Sequence, residues 1–246
     1  KVACRAACPN ANQIATDLTG CDTSKFELTT TEFTSVTSTD GQIYFNLSAS
    51  GTFYVDCGPG GRLRNTSADL FDIAHRIIIR TDTTEKQYYC QYNTTGVKTI
   101  RFGGVASAYN SNYSTAAIGF VSSPNTVTKI ASVSGSLGAM FPQLGTTYDK
   151  FPRFYETFFY ASNLTSISPT LFSGLTGGAY MFNRTFQGSG LTTIPDNLFS
   201  NITTAAQSMF SSTFSSCTGL TALPGNLFSN ITTAAQSMFS STFSSC

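Results

Sequence analysis

Charge is scarce in this chain. Of 246 residues, 14 are Lys or Arg and 13 are Asp or Glu, so charged side chains make up 11% and nearly cancel to a net +1. That is under half the usual quarter, and it excludes the basic footprint that binding to nucleic acid or to an acidic membrane surface requires. Histidine occurs once, as His75, which gives a mixed Cys/His metal site little to build with. No apolar run reaches the roughly 18 residues of a membrane span. No secretory h-region precedes Lys1, so the chain reads as an exported protein whose signal peptide has been removed. Between residues 197 and 246 there is no Asp, Glu, Lys or Arg at all, and Ser, Thr, Asn and Gly supply the polarity. Intracellular proteins seldom have that composition.

Hydrophobic residues make up 41% of the chain, enough to bury a core in one or two domains. The seven cysteines are Cys4, Cys8, Cys21, Cys57, Cys90, Cys217 and Cys246, and their spacing fits no zinc or haem pattern. They point to an oxidising compartment with some disulfides. Three fall within residues 1–25, which read as a stapled amino-terminal segment with Cys8 and Cys21 as candidate partners.

From residue 26 to about 140, short alternating or continuous apolar stretches are broken by Gly, Asn, Asp and Ser, the pattern of strands and turns. Candidate strands are 43–47, 51–57, 76–80, 87–92, 98–102, 117–121 and 129–133, and seven of them at close spacing predict a β-sandwich. In "GTFYVDCGPGG", Phe53 and Val55 share one face and Tyr54 and Asp56 the other, and Gly58-Pro59-Gly60-Gly61 forces a tight turn. Cys57 and Cys90 each sit in a predicted strand, placed to bridge neighbours across the domain.

Residues 141–246 are repetitive. "LFSNITTAAQSMFSSTFSSC" occurs at 198–217 and again, unchanged, 29 residues later at 227–246; a diverged copy runs from 164 to 190, and the tail of a fourth precedes it. The recurring positions include Phe210 and Phe239, Phe214 and Phe243, then Leu220, Leu223 and Leu227. Ile202, Ala206, Met209, Phe210, Thr213, Phe214 and Cys217 recur at spacings of three, four, seven and eight. That spacing predicts one buried stripe on a helix beginning near Thr203 or Thr204. "LTALP" then reads as a short extended stretch that Pro224 ends, and "PGNLFSNI" as a further helical turn. A single unit of this size cannot fold alone, so the units must stack as a solenoid of 27- to 29-residue repeats. The last repeat stops at Cys246 in mid-unit.

The spacing F-x-x-T-F-x-x-C-x-x-L-T-x-L-P-x-x-L-F at 210–228 resembles the BspA-like leucine-rich repeats of bacterial and protist surface proteins. "GTFYVDCGPGG" followed by "YYCQYNTTGVKTIRFGG" is similar to the polycystic-kidney-disease-type β-sandwich, with Cys57 at the usual Trp, Pro59 at the second Asp and Val97 at a later aromatic. These resemblances imply an α+β chain: an immunoglobulin-like or PKD-like all-β sandwich over 26–140, then an α/β leucine-rich-repeat solenoid over 141–246. They also imply cell-surface display with a role in adhesion or host contact.

No residue pattern demands catalysis. His75, in "FDIAHRIIIR", has no nucleophile motif nearby and reads as a strand-edge or surface histidine. Asp56, Asp72 and Asp82 lack the spacing of a calcium loop and read as solvated turn residues. The eight Asn-x-Ser/Thr sequons follow from a composition rich in Ser and Thr. The Phe and Met stripe reads as core rather than ligand pocket. Cys217 and Cys246 share a repeat position, either as stacked buried thiols or, if the separation permits, as a rung-to-rung disulfide. The expectation is a non-enzymatic extracellular or cell-surface protein without cofactor, metal or transmembrane segment. It would bind a protein or glycan on a host or neighbouring cell through its repeat face, and the alternative is a structural protein that self-associates through the open end of its repeats.

Overall fold

The computed structural model describes residues 25–33, 41–65, 75–120 and 126–246. Cys4, Cys8, Cys21 and Asp72 lie outside the described residues, so the Cys8 and Cys21 pairing does too. Among the described residues ten strands form two sheets. Seven correspond to the predicted ones: β2 (Gln42–Leu47), β3 (Ala49–Asp56), β5 (His75–Arg80), β6 (Lys86–Tyr92), β7 (Thr99–Tyr109), β8 (Ile118–Gly119) and β9 (Ile130–Gly135). Three are additional: β1 (Phe26–Thr30), β4 (Gly61–Asn65) and β10 (Ser166–Ile167). One sheet has the order β10-β9-β1-β7-β3-β5 and the other β4-β6-β2-β8. Every pairing is antiparallel except β9 with β10, so the repeat region adds a parallel edge strand to the first sheet.

Alternation along the strands sends Phe26, Phe45, Phe53, Val55 and Phe102 inward. Phe102 packs against Phe26, Phe45 and Phe120, with ring centroids 5.2–5.9 Å apart. Cys57, just past the end of β3, bonds to Cys90 in β6, with Cα atoms 5.6 Å apart. The buried disulfide therefore joins one sheet to the other. By loop-closure entropy it stabilises the fold by about 3–4 kcal/mol. The turn after Cys57 is set by Gly58 and Gly60, both with left-handed backbone (φ 69° and 74°), and by Asp56, whose Oδ1 accepts the Gly58 N–H at 2.8 Å.

The repeats fold differently from the expected α/β leucine-rich-repeat solenoid. The chain is nearly all β: its one α-helix among the described residues is α1 (Leu137–Met140), ahead of the repeats, and within 141–246 only the two residues of β10 are strand. Each predicted helical stripe is instead a run of tight turns. Ser208, Ser212 and Ser216 have left-handed backbone (φ 51°, 55° and 61°), and so do Ser237, Ser241 and Ser245 in the next copy. A left-handed residue at every fourth position forbids an α-helix. Within the turns N–H groups reach back three residues, as Thr213 to Phe210 and Cys217 to Phe214.

The intervening N–H groups point to the next copy: Ser208, Phe210, Ser212, Phe214 and Ser216 donate to the carbonyls of Gln236, Met238, Ser240, Thr242 and Ser244, at 2.7–3.0 Å. Five equivalent bonds join the layer before, from Tyr180, Phe182, Arg184, Phe186 and Gly188. The layers thus share a β-like ladder although each is made of turns. Inside, aromatic rings stack from copy to copy. Phe120, Phe158, Phe186, Phe214 and Phe243 form one column with centroids 5.4–5.5 Å apart, and Phe172, Phe199 and Phe228 form another at 5.7 Å. Beside them Thr157, Thr185, Thr213 and Thr242 are buried, and each hydroxyl donates at 2.8 Å to a carbonyl of the layer before.

Of the predicted repeat core, Phe210, Phe214, Leu220 and Leu227 are buried and Phe243 is half-buried, but Leu223 is 50% exposed and Phe239 43%. Both exposed residues lie in the outermost layer described, which no further layer covers among the described residues.

Candidate interaction site

The left-handed positions form columns on the outside of the stack. In the serine-rich turns of the outer two layers, 208–216 and 237–245, every one is serine. In the inner layers the equivalent residues are large except Gly188: Tyr180 precedes Ser208 and Ser237; Glu156 and Arg184 precede Ser212 and Ser241; Tyr160 and Gly188 precede Ser216 and Ser245. Glu156, Tyr160, Tyr180 and Arg184 all have φ between 53° and 59°. For a non-glycine residue this backbone costs about 1–2 kcal/mol, and bulky side chains are rare there.

These side chains gather into one ridge. Arg184 Nη1 contacts Glu156 Oε1 at 3.1 Å, across two layers. The hydrogen bond to Glu156, first among the causes, raises the Arg184 pKa; burial first, and then a hydrogen bond with Glu156, raises that of Tyr155. Tyr160 is 53% exposed and lies over Gly188 of the following layer, where an added Cβ would meet its ring at 2.4 Å. Only glycine leaves room for that ring.

The β-domain supplies a further tyrosine. Tyr113, in the loop after β7, is 57% exposed, and its ring lies 5.0 Å from that of Tyr180. The loop is held by Arg153, which is buried and has no carboxylate partner among the described residues. Its Nε donates to the Asn112 carbonyl at 3.1 Å, its Nη1 to that of Tyr148 at 3.1 Å, and its Nη2 to that of Asn110. Its guanidinium also lies 5.6 Å and 5.2 Å from the ring centres of Tyr148 and Phe151. Burial pushes its pKa down to about 10. The Arg153 carbonyl in turn accepts the Ala117 N–H, so one residue fixes the loop to the first layer.

The residues singled out for chemistry sit elsewhere. Asp56 is occupied in its turn, and Asp82 accepts from Arg80 and from the Thr84 N–H. The backbone of His75 opens β5 opposite Asp56. Among the described residues no three His, Cys, Asp or Glu side chains group as metal ligands. Nor is any helix long and apolar enough to cross a membrane. Cys217 is buried and Cys246 exposed, both as free thiols in the same column. Sequence reasoning passed over Tyr113, Arg153, Glu156, Tyr160, Tyr180 and Arg184. For Glu156, Tyr160, Tyr180 and Arg184 the signal was present in the departures from serine at positions that the repeat alignment makes equivalent, but a helical reading of the repeats hides that these positions turn outward together; nothing in the sequence marks Tyr113 or Arg153. Comparison with protein-family models, with curated proteins and with solved structures finds no match.

Proposed function

We propose that this is a non-enzymatic, surface-displayed or secreted adhesion protein that recognises a partner through the ridge of Tyr113, Tyr160, Tyr180, Glu156 and Arg184. One observation carries the reading: four large side chains, Tyr160 and Arg184 exposed and Glu156 and Tyr180 half-buried, occupy left-handed positions where serine serves the outer copies. The left-handed backbone belongs to the turns of every layer, so what calls for a cause other than folding is the large side chain at positions that serine fills in the outer copies. The chemistry is that of a protein-binding surface. Tyrosine gives a large, rigid contact area with a polar tip, arginine adds directed hydrogen bonds, and the serines and threonines around them adapt to a partner's polar groups. The buried disulfide fits extracellular exposure. The test is binding to a panel of purified extracellular-matrix proteins, with a glycan array beside it. Parent protein should bind a member of the protein panel, and Y113S with Y180S should weaken that binding about tenfold or more. Capture on the glycan array alone would transfer the reading to carbohydrate, and no capture on either would count against adhesion.

Self-association draws on a different feature. Phe228, Ile231, Phe239 and Phe243 form an open apolar end on the outermost layer described. Hydrogen-bond polarity weighs against stacking there. The exposed backbone groups of that end are N–H donors at Ser237, Phe239, Ser241, Phe243 and Ser245, without acceptors among the described residues, so two such ends would oppose donor to donor. The opposite end of the stack is already occupied, because Ala117 and Phe120 donate to Arg153 and Thr157. Light scattering that stays monomeric as concentration rises would exclude self-association; growth in size would revive it.

A further inference from the structure

The column of Ser189, Cys217 and Cys246 has no part in the ridge, and it places two free thiols in adjacent layers. Cys217 Sγ donates to the Phe186 carbonyl at 3.2 Å, and Cys246 Sγ to the Phe214 carbonyl at 3.1 Å. The Phe214 carbonyl also accepts the N–H of Cys217 at 3.1 Å, so the Cys246 sulfur and the Cys217 backbone converge on one oxygen. One layer earlier, Ser189 Oγ lies 3.4 Å from Cys217 Sγ, which measures how close equivalent side-chain atoms of neighbouring layers come. The adjacent ring pair Phe214 and Phe243 repeats at 5.5 Å. A layer spacing of that size falls inside the Cα separation of about 4.4–6.8 Å that a disulfide spans.

We infer that Cys217 and Cys246 form an oxidisable pair that closes to a disulfide between successive layers when a small-molecule disulfide is present. Cys246 is exposed and reacts first: its thiolate attacks one sulfur of the oxidant, the oxidant S–S bond breaks, and one small thiol leaves carrying a proton. Cys217 then loses its proton and attacks the Cys246 sulfur of the mixed disulfide. The Cys217–Cys246 bond forms and the second small thiol leaves. Two protein thiols are oxidised, one disulfide is reduced to two thiols, and both cysteine protons end on the released thiols. Burial raises the Cys217 thiol pKa, which makes the second step the slower one. The bond would fasten the outermost layer described to its neighbour, a covalent link where the apolar end is open.

The test is incubation of the protein with oxidised glutathione, followed by peptide mapping without reduction. The expected product is a linked peptide pair containing Cys217 and Cys246, with no retained glutathione and with slower proteolysis of residues 218–246. C217S should stop at a glutathione adduct on Cys246, and C246S should leave Cys217 unreacted. Serine is the natural occupant of this column at Ser189, so both variants keep the fold. A glutathione adduct that persists on Cys246 in the parent, a bond from Cys246 to a second molecule, or two thiols unchanged after oxidation would each overturn the pairing.

Discussion

Arg153 shows how one side chain joins the two halves of the molecule. Three backbone carbonyls and two aromatic rings surround a buried guanidinium, and among the described residues no carboxylate neutralises it. Replacing it with Met keeps the bulk and strands the carbonyls of Asn110, Asn112 and Tyr148. Arg153→Met is expected to cost about 2–4 kcal/mol in urea denaturation, with Tyr113 losing its fixed position. A cost below about 1 kcal/mol would mean the loop holds itself.

Two buried tyrosines set the alkaline limit of stability. Burial raises the phenol pKa of Tyr92 and of Tyr109 above the ordinary value of 10.0, while their hydroxyls donate to the carbonyls of Cys57 and Pro142 at 2.7 and 2.6 Å. Above about pH 10 the unfolded chain releases these protons and the folded chain keeps them. The folded state then holds more protons, so this contribution is whole below about pH 10 and falls as pH rises through the raised values. Denaturation midpoints followed from neutral to strongly alkaline pH should drop past about pH 10, and Tyr109→Phe should make that drop shallower.

At the scale of elements, the strands were legible because alternation has a single reading. Phe53 and Val55 against Tyr54 and Asp56 can only be a half-buried strand, and Cys57 and Cys90 could be paired before their separation was known. β1 and β4 were harder to read: "GRLRN" offers one apolar side chain, and "FELTT" only two, followed by Thr31 and Glu32. The repeats misled for a physical reason. Apolar pairs that recur every four residues satisfy the spacing of a helix face, and nothing in Ser212 announces a left-handed backbone. The two structures predict opposite responses to glycine. Mid-helix, Ser212→Gly would cost up to about 1 kcal/mol. In the observed turn it should be neutral or stabilising by up to about 1 kcal/mol, and Ser212→Val should lose more than about 1 kcal/mol. Thermal melts of both variants distinguish the cases. The threonine column gives a second check. Thr213→Val keeps the shape but removes the hydroxyl from the Phe182 carbonyl, and should cost about 1–2 kcal/mol.

Across the whole molecule, the β-sandwich serves as the first layer on which the repeats build. Phe120 begins an aromatic column that runs to Phe243, β10 extends the sheet of β9, and a single core reaches from Phe26 to Met238. That continuity explains why the ridge was not legible in either half: Tyr113 belongs to a β-domain loop and Tyr180 to the repeats, and only their packing makes them neighbours. It also makes deletion of the repeats a poor test, since Phe154 and Phe158 lie in the shared core. Substitution within the ridge is cleaner. In Y113S/Y180S/R184S the two repeat positions become those of the outer copies, and the third tyrosine is removed from the loop. Binding of this variant and of the parent to the matrix-protein panel, with urea denaturation alongside, is the most direct measurement. The ridge reading predicts stability within about 1 kcal/mol of the parent and binding weakened about tenfold or more. A variant that binds as well as the parent, or one that loses several kcal/mol, would show that these residues serve the fold instead.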